Sequence, residues 1–92
     1  MGMVEDAIRR KLTEAFSPQE LLIENESHRH AGHAGSPGTG ESHFRVVIIA
    51  DCFDSLGRVE RQRHIYQVLS EELRGPVHAL SLSAWGTKEK RG

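Results

Sequence analysis

The chain has 92 residues, 37% of them hydrophobic, and a chain this short buries only about 60–70% of the surface it exposes when unfolded, so a second domain would lack a core. Twelve Lys and Arg against thirteen Asp and Glu leave a formal charge of −1, which excludes a global basic excess drawing the chain to nucleic acid or to an acidic membrane. The lone Cys52 excludes an intrachain disulfide and a self-contained four-cysteine zinc or iron–sulfur site, while six histidines give the chain a charge swing confined to mildly acidic pH.

Met1 to Asp6 contains no basic stretch followed by an apolar run, so no secretion signal is read there. From Val4 to Phe16 the apolar residues Val4, Ala7, Ile8, Leu12, Ala15 and Phe16 recur at helical spacing, with Arg9, Arg10, Lys11 and Glu14 on the other face. Ser17-Pro18 stops this helix, and Leu21 to Asn25 reads as a short strand. Ser27 to Ser42 holds four glycines, one proline and three histidines without apolar periodicity, and is predicted to be a loop of functional length. His43 to Ala50 is the clearest strand, and its β-branched run from Val46 to Ile49 predicts a central place in a sheet.

Cys52 follows that strand and reads as a small structural hydrophobe. Asp54 to Gly57 turns the chain. Arg58 to Leu73 is a second helix, predicted to face the core with Val59, Ile65, Tyr66, Leu69 and Leu73, leaving Arg58, Arg61 and Arg63 on or near its exposed side. Gly75-Pro76 ends it, Val77 to Ala84 is a third strand, and residues 86–92 read as a flexible tail. The order is helix, strand, strand, helix, strand: one α+β domain over 1–92 with its helices on one face of a small sheet.

The segments Glu26-Ser27-His28-Arg29-His30, Gly40 to Val47, Glu71-Glu72-Leu73 and Gly75 to Ser81 stand in the order found in the BolA family, and together the chain resembles that family over most of its length. The resemblance implies a fold like the class II KH domain, with a mixed three-stranded sheet. Two positions depart from the family pattern. The second helix carries Arg61-Gln62-Arg63 followed by His64 where the family usually has Arg-His-Arg, and the histidine-bearing loop is longer than in short-loop members.

His78 shares strand parity with Leu80 and Leu82, so periodicity alone makes it a histidine at the rim of the apolar face. The resemblance implies instead that the histidine of Val77-His78-Ala79-Leu80 is a cluster ligand, joined by a loop histidine. Counting forward from Asn25 gives His30; counting back from His43 falls one place from His33, and the glycines around His33 favour it slightly. His28, beside the first strand, is the weakest of the three. Two imidazoles on one iron leave thiolates to come from elsewhere. The resemblance names their source as a monothiol glutaredoxin, which brings a cysteine and a bound glutathione to a bridging 2Fe-2S cluster in a heterodimer. The isolated protein is then expected to be a monomer without a cluster.

DNA binding is the competing reading, through a small patch of Arg58, Arg61 and Arg63, although Glu60, Glu71 and Glu72 share that helix. No nucleophile motif, phosphate-cradling loop or paired-carboxylate pattern points to an enzyme. No run is long and apolar enough to span a membrane, and the expected compartment is the cytoplasm, or an organelle matrix if a targeting peptide has been removed.

Overall fold

A computed structural model of the chain describes residues 2–26 and 43–88. The loop expected over 27–42, with His28, His30 and His33, lies outside the described residues, as do residues 89–92. The order is α1 (Met3–Phe16), β1 (Glu20–Asn25), β2 (His43–Ile49), a 3-10 turn (Asp51–Ser55), α2 (Arg58–Val68), α3 (Ser70–Arg74) and β3 (Ala79–Trp85). This is the expected α+β arrangement with a mixed three-stranded sheet.

In α1 the residues Val4, Ile8, Leu12 and Phe16 form an i, i+4 stripe, and Ile8 and Leu12 are fully buried. Glu5 and Asp6 lie in the first turn, where the helix dipole favours negative charge. The helix closes at Ser17, in the left-handed region at φ 45°, whose N–H donates to the Thr13 carbonyl, and Pro18 forbids continuation. Phe16 packs on Phe53 of the 3-10 turn with ring centroids 5.1 Å apart.

The strands lie in the order β1-β2-β3, antiparallel between β1 and β2 and parallel between β2 and β3. β2 is therefore central, as its composition predicts. Phe44, Val46 and Ile48 project into the core with Ile8, Leu12, Phe53, Ile65 and Leu69. On the opposite face Leu22 is half exposed, Val47 is half-buried, and Arg45 pairs with Glu24 across the strands at 3.7 Å.

The second helix differs from its sequence reading in two ways. It is divided at Leu69 into α2 and the short α3, although Ile65, Leu69 and Glu72 keep the i, i+4, i+7 spacing of one buried stripe. The stripe also begins at Arg61 rather than at Val59: Arg61 is 6% exposed, while Val59 and Tyr66 face outward. The Arg61 guanidinium donates through Nε to the Leu56 carbonyl at 2.9 Å and through Nη1 to the Ala84 carbonyl at 3.2 Å, fastening α2 to the edge strand β3. The expected exposure of the helix arginines thus holds for Arg58 and Arg63 but not for Arg61.

Gly86 to Lys88, expected in a flexible tail, is bound down. The Lys88 N–H donates to Asp54 Oδ1 at 3.0 Å, and the Thr87 hydroxyl lies 2.8 Å from Asp54 Oδ2 and 2.7 Å from Asp51 Oδ1. Gly86 is buried so closely on Asp54 that a Cβ there would collide with its carboxylate. The Lys88 N–H and then the Thr87 hydroxyl hold the Asp54 carboxyl below its ordinary value.

Two stability tests follow from these fastenings. Arg61→Ala is expected to destabilise the domain by about 2–4 kcal/mol, since it removes two charge-assisted bonds and strands two carbonyls; Arg63→Ala should change it by less than about 0.5 kcal/mol. Denaturant melts of both variants decide this. For Asp54 the folded pKa lies below the unfolded value, so its contribution is present above pH ~4 and is lost as pH falls through the folded pKa. Asp54→Asn should therefore lower the melting temperature at about pH 6, with the gap to wild type narrowing as the pH falls through the folded pKa.

Candidate metal centre at one pole of the sheet

The parallel pairing of β2 with β3 makes both strands start at the same end of the sheet. His43 is the Cα partner of Ala79 and Phe44 of Leu80, while Asn25 at the end of β1 pairs with Phe44. The Glu26 N–H donates to the His43 carbonyl at 2.8 Å. Residues 26 and 43 are the two roots of the segment that carries His28, His30 and His33, so both roots stand at the pole where β3 starts, residue 43 beside it and residue 26 one strand further away.

His78 immediately precedes β3, which begins one residue later than the rim position that periodicity suggests. Its approach is fixed: the Gly75 N–H donates to the Glu71 and Glu72 carbonyls at 3.1 and 3.2 Å, and the Val77 N–H donates to the Glu72 carbonyl at 2.9 Å. Val77 is buried, at 4% exposure, and His78 is exposed. The imidazole is thus delivered to the surface by a turn whose other side is packed into the core. His43 occupies the same pole, half-buried, and was not singled out by sequence reasoning; only its place at the start of the central strand could have marked it.

Among the described residues no three His, Cys, Asp or Glu side chains come together as a metal site. Cys52 is exposed on the 3-10 turn after β2, which corrects its reading as a packed hydrophobe. It lies at the opposite pole: β2 alone, from His43 to Ile49, spans about 20 Å at ~3.3 Å per residue. Partial burial of the sulfur pushes the Cys52 thiol up, and the Asp51 and Asp54 charges add to this, so it is poorly disposed to act as a thiolate. The donor set at the histidine pole fits a 2Fe-2S cluster only as a contributor of imidazole, with the thiolates arriving from outside.

Along the other side of the domain a cleft of about 200 Å³ runs between α2 and β3, lined by Arg58, Arg61, Gln62, Leu82, Ser83 and Trp85 among others. Arg61 contributes guanidinium nitrogens already spent on two main-chain carbonyls. Arg58 is the exposed cation of this cleft, and Arg63 is exposed one position beyond Gln62. No helix among the described residues is long and apolar enough to cross a membrane.

Comparison with known proteins places this geometry. The family model described as BolA-like protein matches residues 12–89. The chain is 49% identical over 84 residues to BolA-like protein 1 of Homo sapiens, covering 91% of this chain and 58% of that protein. It is 43% identical over 90 residues to the DNA-binding transcriptional regulator BolA of Escherichia coli strain K12, covering 98% and 82%. Among solved structures, the BolA domain of SufE1 from Arabidopsis thaliana superposes with a TM-score of 0.85 at 39% identity, covering 98% of this chain and 99% of that one. The chain spans 58–64% of the length of the mammalian BolA-like proteins it matches. Its match to the family model, its element order and its sheet topology agree, and the chain belongs to the BolA-like family.

Proposed function

We propose that this protein is a non-enzymatic partner that lends His78 and one loop histidine, His33 or His30, to a 2Fe-2S cluster bridged with a monothiol glutaredoxin and its glutathione, in iron–sulfur cluster trafficking or iron regulation. The observation that carries this reading is the division of the sheet into two poles. The exposed His78 shares its pole with both roots of the histidine-rich segment, whereas the chain's single thiol lies at the other end. A domain built this way offers imidazole without thiolate, and iron–sulfur clusters are held largely by thiolates. The missing ligands define the partner. When bound, the cluster supplies electron-transfer and sulfide-bridged iron chemistry, while this chain holds imidazoles at a fixed place and shields one side.

Anaerobic titration into cluster-loaded monothiol glutaredoxin, followed by visible circular dichroism, tests this. The cluster spectrum is expected to change on addition of the wild-type protein and to stay that of the glutaredoxin alone with His78→Ala. That variant should retain its fold, because an exposed side chain contributes little buried area. A wild-type spectrum with His78→Ala, or with the triple His28/His30/His33 alanine variant, would remove the respective ligand from the proposal.

A second reading is favoured by the cleft between α2 and β3, and by a relative named as a DNA-binding transcriptional regulator. With Arg61 committed internally, Arg58 and Arg63 supply the exposed cations of α2, and so few phosphate contacts give weak, salt-sensitive binding. Fluorescence anisotropy with duplex DNA is expected to show affinity at low salt that is lost near about 150 mM. Sequence-specific binding that persists at that salt and is abolished by Arg63→Ala would make DNA the better account.

A further inference from the structure

We propose that Lys11 and Glu72 act as a pair of positioning residues for His78, so that an ion pair between two helices sets where the candidate ligand stands. The inference rests on the reading of His78 as a ligand. α3 has five residues, too few to hold a helix by itself, so its place depends on what it is tied to. The Lys11 ammonium lies 2.8 and 3.1 Å from the two carboxylate oxygens of Glu72, and 3.4 Å from Glu71 Oε1. The side chains of Lys11 and Glu72 are 21% and 10% exposed, so this contact is shielded from solvent and salt far more than a surface pair. Lys11 is carried by α1 next to Leu12, which is fully buried, and so is itself held by the core.

Glu72 faces both ways. Its side chain receives Lys11, while its main-chain carbonyl accepts the Gly75 and Val77 N–H groups that shape the turn into His78. From the ammonium to the imidazole the path is therefore Lys11, Glu72, Val77, His78. The β3 ladder fixes the direction in which the chain leaves, through the pairing of His43 with Ala79; the Glu72 turn fixes where it enters. Metal ligands need placement within about 0.5 Å, and loss of a group that orients a ligand costs about 10–100-fold in metal affinity. Neither residue belongs to the apolar core cluster, so breaking the pair opens no cavity in it. The hydrogen bond to Glu72 is the chief reason the Lys11 pKa is raised, which keeps the ammonium charged throughout the physiological range.

The test compares Lys11→Met, Glu72→Gln and the charge-reversed double variant Lys11→Glu/Glu72→Lys with wild type and His78→Ala, using the full chain. Two readouts are taken: the imidazole NMR resonances and titration of His78 in the isolated protein, and the titration midpoint against cluster-loaded monothiol glutaredoxin by visible circular dichroism. Each single variant is expected to keep a cooperative melt, to shift or broaden the His78 signals, and to weaken the midpoint about tenfold; the reversed pair should recover most of both. His78 signals and midpoint unchanged in Lys11→Met and Glu72→Gln would overturn the proposal while leaving His78 as a ligand. Perturbation in both singles without recovery in the reversed pair would overturn it too, since the effect would not belong to the pair. If either single variant fails to fold, the reversed pair decides, with wild-type-like His78 signals supporting the tie and displaced ones refuting it. A wild-type cluster spectrum with His78→Ala would defeat the ligand reading instead, and the NMR readout would then decide the positioning role alone.

Discussion

Parallel pairing between β2 and β3 is the constraint on which the rest depends. Two parallel strands need a crossover, here α2 and α3, and they begin at the same end of the sheet. The chain must therefore travel the length of the domain after Ile49 and return to its starting pole before β3 can form. Everything placed just before β3 arrives beside everything placed just before β2. His78 meets the neighbourhood of His43 for this reason, and Cys52, which comes just after β2, is carried to the far end. The separation of thiol from imidazole is a consequence of topology, not of local sequence.

A small core leaves a second requirement. With 92 residues the apolar cluster around Phe44, Phe53, Ile8 and Leu69 is modest, and domains of this size gain from extra fastenings. Here the fastenings are polar and each joins parts distant in sequence. Arg61 ties the start of α2 to β3, Lys11 ties α1 to α3, and Asp54 ties the 3-10 turn to the residues after Trp85. The polar atoms of these side chains are used in the ties, and among the described residues no buried side-chain nitrogen or oxygen lacks a partner.

Those same fastenings mark where the sequence was hard to read. α1 and β2 were legible because apolar residues alone carry their buried faces: Val4, Ile8, Leu12 and Phe16 on one, Phe44, Val46 and Ile48 on the other. α2 was phased wrongly, with Val59 and Tyr66 turned inward, because Arg61 occupies a core-facing position that an apolar pattern assigns to solvent. Glu72, read as a family-motif residue and as one charge of a mixed-charge helix, is buried against the same expectation. The binding of Gly86 to Lys88 on Asp54 joins residues more than thirty apart, and no local pattern announces it. At the candidate site, the place of His78 at the start of β3 was legible to within one residue. That His43 and the roots of the loop share its pole required the strand register, which propensity does not encode.

The position of His78 separates the proposed chemistry from the stability of the fold. An imidazole that is exposed, on a turn whose buried member is Val77, adds almost nothing to the core, so the domain can stand with its ligand position empty. A structural zinc site behaves in the opposite way, because there the binding energy is folding energy and the apo protein unfolds. A protein that must take up and give up a shared cluster needs the first arrangement. Under the proposed function the fold sets the geometry in advance, and affinity is left to the proposed partner that brings the thiolates. Of the polar ties, that of Lys11 to Glu72 stands on the helical side of the entry to β3, at a distance from the proposed ligand, where no metal is required to complete it.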